Sequence, residues 1–161
     1  MLMFTGSVEV IPDSVSQSST WGGKSREAEA AIDGDLATNS HTQCVWDTDL
    51  WYRMKFDAVY CFSEVVIMQS HLSEQNAKRM QDTNVVVVNS GTEAESLCGI
   101  LEVSSVYTQE GQTYSISCDR ACGDKVKLTL RHDRSQYKIE GCIHMIEIKA
   151  YPWDPSTGSK Y

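Results

Sequence analysis

The chain has 161 residues, 41% of them hydrophobic, with 14 lysines and arginines against 22 aspartates and glutamates, a net charge of −8. That is the length of one domain with apolar side chains enough for a core. The excess of carboxylates argues against nucleic acid and anionic membrane lipid as partners, because clustered cations hold both, and it suits a protein that binds a cation.

The elements follow in chain order. The opening MLMFTGSVEVIPDS has no basic n-region, and its apolar stretch is too short for a signal peptide. KSREAEAAI (24–32) is rich in helix formers and predicts a short helical turn. WYRMKF (51–56) alternates Trp51, Arg53 and Lys55 against Tyr52, Met54 and Phe56. SEVVIMQS (63–70) and TNVVVVNSG (83–91) are β-branched runs, and GILEVSSVY (99–107) and TYSISC (113–118) follow. In DKVKLTLRH (124–132), Val126, Leu128 and Leu130 face one way, with Lys125, Lys127 and Thr129 on the other. IHMIEIKAY (143–151) is the last strand, and DPSTGSKY is a polar end. Short alternating strands separated by Gly, Asn, Asp and Ser predict an all-β sandwich or barrel. We place one domain over 7–151 and a polar C-terminal tail over 152–161. No run approaches the ~18 apolar residues of a membrane-spanning helix.

The stretch AAIDGDLATNSHTQC (30–44) crowds oxygen donors into a few residues. Calcium takes six to eight oxygens from carboxylates, hydroxyls and carbonyls. A glycine lets a short loop curl so that several point inward. Asp33, Asp35, Thr38 and Asn39 supply such a set. The same residues also suit a plain Asx turn, in which Asp33 caps the local backbone.

Six cysteines stand at 44, 61, 98, 118, 122 and 142. An even count spread over one domain points to disulfides and an oxidising compartment, with 15 pairings open. Reduced core cysteines are the alternative, and Cys118 with Cys122 lacks the second close pair a zinc site needs. No G-x-S-x-G, H-E-x-x-H or glycine-rich phosphate loop is present, so no catalysis is expected.

VSQSSTWGG (15–23), AAIDGD (30–35), LWYRMKF (50–56) and IEIKAY (146–151), in that order, resemble the discoidin or coagulation-factor C-type domain and, within it, the F-type lectins or fucolectins. The resemblance implies a jelly-roll β-sandwich of the galactose-binding-domain-like kind. It implies calcium on the loop of Asp33, Asp35, Thr38 and Asn39, closed by Glu147 on the last strand. Fucolectins usually carry an acidic residue where Ala37 stands, and the variant of related carbohydrate-binding modules, ending in Thr, fits better. The resemblance pairs Cys98 with Cys118 and Cys44 with Cys142, which leaves Cys61 and Cys122.

The family's sugar site uses one histidine and two basic residues. Arg79 falls on the second basic position. The first falls on Ser70, and the Gly-Asp after it becomes His71 and Leu72. His41 lies near the family histidine, with Gln43 an alternative occupant. The ligand rim implied is His41, Trp46, His71, Lys78 and Arg79. Trp21, Trp51 and Tyr52 match packing positions, and His144 reads as a packed strand histidine. The expected function is an extracellular, lectin-like carbohydrate-binding module with structural calcium, its partner a glycan or cell-surface glycoprotein. The alternative is a protein-binding adhesion module of the same fold without sugar binding. Either places the chain outside the cell, secreted or as part of a larger protein.

Overall fold

In the computed structural model, residues 8–23, 26–69, 73–103, 112–131 and 135–155 are described. Their strands are β1 (Ser14–Gln17), β2 (Ser40–His41), β3 (Leu50–Gln69), β4 (Thr83–Asn89), β5 (Ala94–Leu101), β6 (Gln112–Leu130) and β7 (His144–Pro152). All pairings between them are antiparallel, in the order β2-β7-β3-β6-β4-β5 with β1 on β3.

The pairs of runs at 51–56 and 63–70, and at 113–118 and 124–132, are not separate strands. Each pair is one long strand, β3 of 20 residues and β6 of 19, carried through a bend where the register shifts between Lys55 and Tyr60. The first half of β3 pairs with β1 and the end of β6; its second half pairs with the start of β6 and with β7. The sheet therefore folds over on itself into the two layers of a jelly-roll sandwich, and side chains from both halves fill one core. Phe56, Tyr60 and Phe62 pack ring against ring at the fold line.

Period-two patterning decides which residues enter that core. Tyr52, Met54, Val126 and Leu128 are buried, while their neighbours Arg53, Lys55, Lys125 and Lys127 point outward. Gly123 is required by a close approach: a Cβ there would lie 2.3 Å from the Val88 carbonyl oxygen. The expected helical turn at 24–32 is a 3-10 helix over Ala28–Ala31, whose alanines pack on the core. Tyr52 donates to the Ala28 carbonyl at 2.9 Å beneath it.

Three disulfides form: Cys44–Cys142 and Cys98–Cys118, the two pairs the resemblance implied, and Cys61–Cys122, which joins the two cysteines it left over. Cys98–Cys118 joins β5 to the first half of β6. Pairing continues past residue 151: β7 runs to Pro152, and the Trp153 amide donates to the Cys61 carbonyl.

Candidate functional site

The loop after the 3-10 helix curls around one hydroxyl. Thr38 Oγ1 lies 2.7 Å from Asp33 Oδ2, 2.9 Å from the Asp35 carbonyl and 3.4 Å from the Ala30 carbonyl. Asp33 Oδ1 accepts from the Asp35 amide, and Gly34 between them takes a φ of 74°, a conformation that costs a glycine little. The Asp35 carboxylate turns away to accept from the Ala37 amide, so this residue offers the cluster its main-chain oxygen. Asn39 likewise gives its side-chain oxygen to Arg26 at 3.0 Å.

Glu147 faces this loop from β7. It is buried, and its Oε1 has no hydrogen-bond partner. Burial pushes its pKa above the usual carboxylate range; Lys149 and the Gly34 amide oppose that, and Asp33 and Glu9 add to it. A buried, half-satisfied carboxylate facing a loop that gathers a second carboxylate and two carbonyls around one hydroxyl is the donor chemistry of a hard cation. The residues thus fit the calcium that the fold family implies. Asp33 and Glu147 would supply charge, and Asp35, Thr38 and Asn39 neutral oxygens.

From Asn39 a chain of contacts runs to the ligand rim. The Arg26 guanidinium that Asn39 holds lies 5.1 Å from the ring centre of Trp21. Trp21 packs on His41 at 5.2 Å, and His41 stacks on His144, its register partner across β2 and β7, at 5.4 Å. Trp21 is therefore no core residue. It is 50% exposed, just before the Gly22–Gly23 bend, where Gly22 takes a φ of 83°. Trp51 is also only partly buried, on the outer face of β3, whereas Tyr52 is wholly inside.

A short helix, α1 (Glu74–Lys78), presents the cations. It starts at Ser73, whose side chain accepts from the Asn76 amide as an N-cap, an element absent from the sequence expectations. His144 anchors it: the Asn76 carbonyl, 2.9 Å from His144 Nε2, can only accept, so Nε2 carries the proton. Gln69 Nε2 donates to the Ala77 carbonyl at 2.8 Å. Arg79 caps the helix, and its carbonyl accepts from the Cys142 amide. The structure thus brings His41 and Arg79 to one corner. Lys78 stands exposed in the last turn of α1, and Trp46, 47% exposed, stands on the loop after Cys44. His71 lies outside the described residues.

His41 Nδ1 lies 2.6 Å from the Thr42 carbonyl and donates to it, which leaves Nε2 as the acceptor of the neutral ring. Burial lowers the His41 pKa, the Thr42 carbonyl opposes this, and the charges of Arg26 and Arg79 add to it. The ring is thus neutral at pH 7, able to accept from a hydroxyl while Arg79 donates. His41 protonates more readily in the unfolded chain, so its contribution to stability is complete above the unfolded pKa and is lost as pH falls. Melting temperature should therefore decline from about pH 6.5 downward, with a shallower decline in His41→Gln. Superimposable profiles would refute that role.

Among the described residues one trio of side chains able to ligate a metal converges, a histidine with two cysteines: His41, Cys44 and Cys142. Both sulfurs are in the disulfide, so the cluster is a ring against a sulfur bridge and not a metal site.

The chain has the discoidin-like, galactose-binding-like jelly-roll fold, and its structural neighbours are lectins and carbohydrate-binding modules. A fucolectin from striped bass (Morone saxatilis) serum is 19% identical with a TM-score of 0.67, over 88% of this chain and 45% of that one. The chain therefore spans less than half of that fucolectin. A Streptococcus pneumoniae fucose-binding module, SpX-3, is 16% identical with a TM-score of 0.65, over 92% and 99%. The family 32 carbohydrate-binding module of Clostridium perfringens NanJ, solved with galactose, is 17% identical with a TM-score of 0.62, over 86% and 92%. No protein-family model and no curated protein sequence matches the chain.

Proposed function

We propose that the chain is an extracellular carbohydrate-binding module that holds a glycan at the loop corner of Trp21, His41 and Arg79, with calcium stiffening the loop behind it. The observation that carries this reading is the continuous contact path from the oxygen cluster through Asn39 and Arg26 to Trp21 and His41. The corner combines what a sugar needs: a half-exposed aromatic face for C–H groups, an imidazole acceptor and a guanidinium donor. The neighbours solved as fucose-binding modules or with galactose support the substrate class. Three disulfides fit an oxidising, extracellular setting. No catalytic role is assigned.

A glycan array with and without chelator tests the reading. We expect binding that free sugar inhibits, that chelator weakens, and that Arg79→Ala reduces at least tenfold, since a hydrogen bond to a charged donor contributes about 1.5–3 kcal/mol. A silent array would remove the lectin assignment.

A protein-docking module is the second reading, favoured by Leu36. That side chain is 64% exposed on the same loop set as Trp21 and Trp46, and such an apolar tip suits a protein surface better than a sugar. Capture of a cell-surface protein after removal of its glycans would move the assignment there.

A further inference from the structure

A second feature lies on the outer face of the sandwich and shares no residue with the loop corner. Arg53 and Lys55 on β3 point outward between buried neighbours, as do Lys125 and Lys127 on β6. In register, Arg53 stands directly opposite Lys127, and Lys55 opposite Lys125. Like charges paired across antiparallel strands destabilise a sheet. Here two such pairs stand in succession in a chain whose net charge is −8. Among the described residues none of the four cations has a carboxylate within salt-bridge distance. A sequence this rich in Asp and Glu could have neutralised them at a single position. Local conflict of this kind, with no carboxylate paired to any of the four, points to a functional constraint.

The same face is concave. Trp51, Arg53, Val88, Glu95, Lys125 and Lys127 line a groove of about 320 Å³. Val88 sits opposite Lys125 on one side and Glu95 on the other, so the groove crosses β6, β4 and β5. The Arg53 guanidinium rests 5.3 Å from the Trp51 ring centre and donates to Ser16 Oγ, which holds it at the wall.

We propose that this groove is a second saccharide site, selective for an anionic sugar bearing a carboxylate or sulfate. The lysines and arginine take the acid group, which also relieves their mutual repulsion. Trp51 and Val88 offer apolar surface to the C–H face of a pyranose ring. Glu95 can only accept hydrogen bonds, so it favours a ligand that carries hydroxyl donors besides its acid group, which a bare inorganic anion lacks. The site is local: the acidic remainder of the surface gives no long-range attraction, so recognition needs this juxtaposition of Trp51, the cations and Glu95.

The whole chain is titrated calorimetrically with three tetrasaccharides: one galacturonate-based, one heparin-derived and one neutral. We expect one of the anionic probes to bind, the better one identifying carboxylate or sulfate, and the neutral probe not to bind. Binding should weaken as salt rises and should persist with chelator and in Trp21→Ala, which separates this site from the loop corner. Lys125→Gln with Lys127→Gln should weaken it at least tenfold while leaving the melting temperature equal or higher, since the like-charge pairs are gone. Should the double variant misfold, Lys125→Gln alone is read for a threefold loss. Failure of both anionic probes, unchanged affinity in the lysine variant, or equal binding of a polyglutamate peptide would overturn the proposal; the last would assign the groove to an acidic protein segment.

Discussion

Replacing Cys44 and Cys142 by serine should lower the melting temperature by on the order of 10–15 °C and abolish glycan binding at the loop corner. The bridge spans a sequence separation of 98. With Cys61–Cys122 nested inside it, the loop it closes is shortened to roughly 40 residues, which in the chain-entropy description stabilises the native state by about 4 kcal/mol and corresponds to this shift for a domain of this length. Cys98–Cys118, with a separation of 20, should contribute about 3 kcal/mol. The larger cost coincides with the functional one. Cys142 bonds to the Arg79 carbonyl, and Val45 next to Cys44 pairs with Gly141. Cutting the bridge therefore frees both the Trp46 loop and the seat of Arg79. Thermal denaturation by circular dichroism and an array readout check the two halves separately. A variant that melts with the parent, or that melts early yet binds sugar unchanged, would contradict this coupling.

The second large effect concerns the oxygen loop. Calcium at about a hundred times its dissociation constant should stabilise the protein by about 2.7 kcal/mol, a rise of roughly 5–10 °C. Glu147→Gln should remove that rise. Without calcium the same substitution should be neutral or stabilising, because the lone Oε1 sits buried without a partner and the neutral amide is easier to bury. The pH dependence has the same sign. The folded-state pKa of Glu147 is raised, so the native protein binds the proton more tightly than the unfolded chain does. In chelator, Glu147 adds stability as pH falls from its folded pKa toward the ordinary glutamate value and removes it as pH rises; calcium reverses that preference. Calorimetric scans across pH with and without calcium read both signs. A scan unmoved by millimolar calcium, or a Glu147→Gln variant destabilised in chelator, would overturn the role of this residue.

The parts of this molecule legible in its sequence are those set by period-two burial and by oxygen count. KVKLTL and WYRMKF declare their inner faces, because each inward residue meets the same core. DGDLATN declares a donor-rich turn, and its Asp33 and Asp35 side chains do accept from the amides two residues on, so the stretch alone does not separate an Asx turn from a cation loop. Strand continuity was not legible. Asp57, Asp119, Arg120 and Gly123 look like turn residues, yet they carry β3 and β6 through a bend, with Asp119 at φ 45° and Arg120 at φ 64°. Local chemistry is alike for a turn and for a bend held by two sheets. The helix α1 is five residues long, too short for a periodic signal, and only the Ser73 cap could have revealed it. The resemblance puts Trp21 at a packing position, and a tryptophan between polar residues and two glycines has no pattern of its own to correct that. Its role arises from Arg26 and His41, which the fold brings to it from elsewhere.

The central claim is that a cation-stiffened loop and a sulfur bridge fix one recognition corner for sugar. The most direct measurement is a nitrogen-15 NMR titration of the calcium-loaded protein with the best sugar from the array. The account predicts that the Trp21 indole N–H and the backbone amides around His41 and Arg79 shift together and saturate at one concentration, and that chelator broadens or scatters those same signals. Shifts confined to the outer sheet face, or a corner left unmoved at saturating sugar, would contradict it.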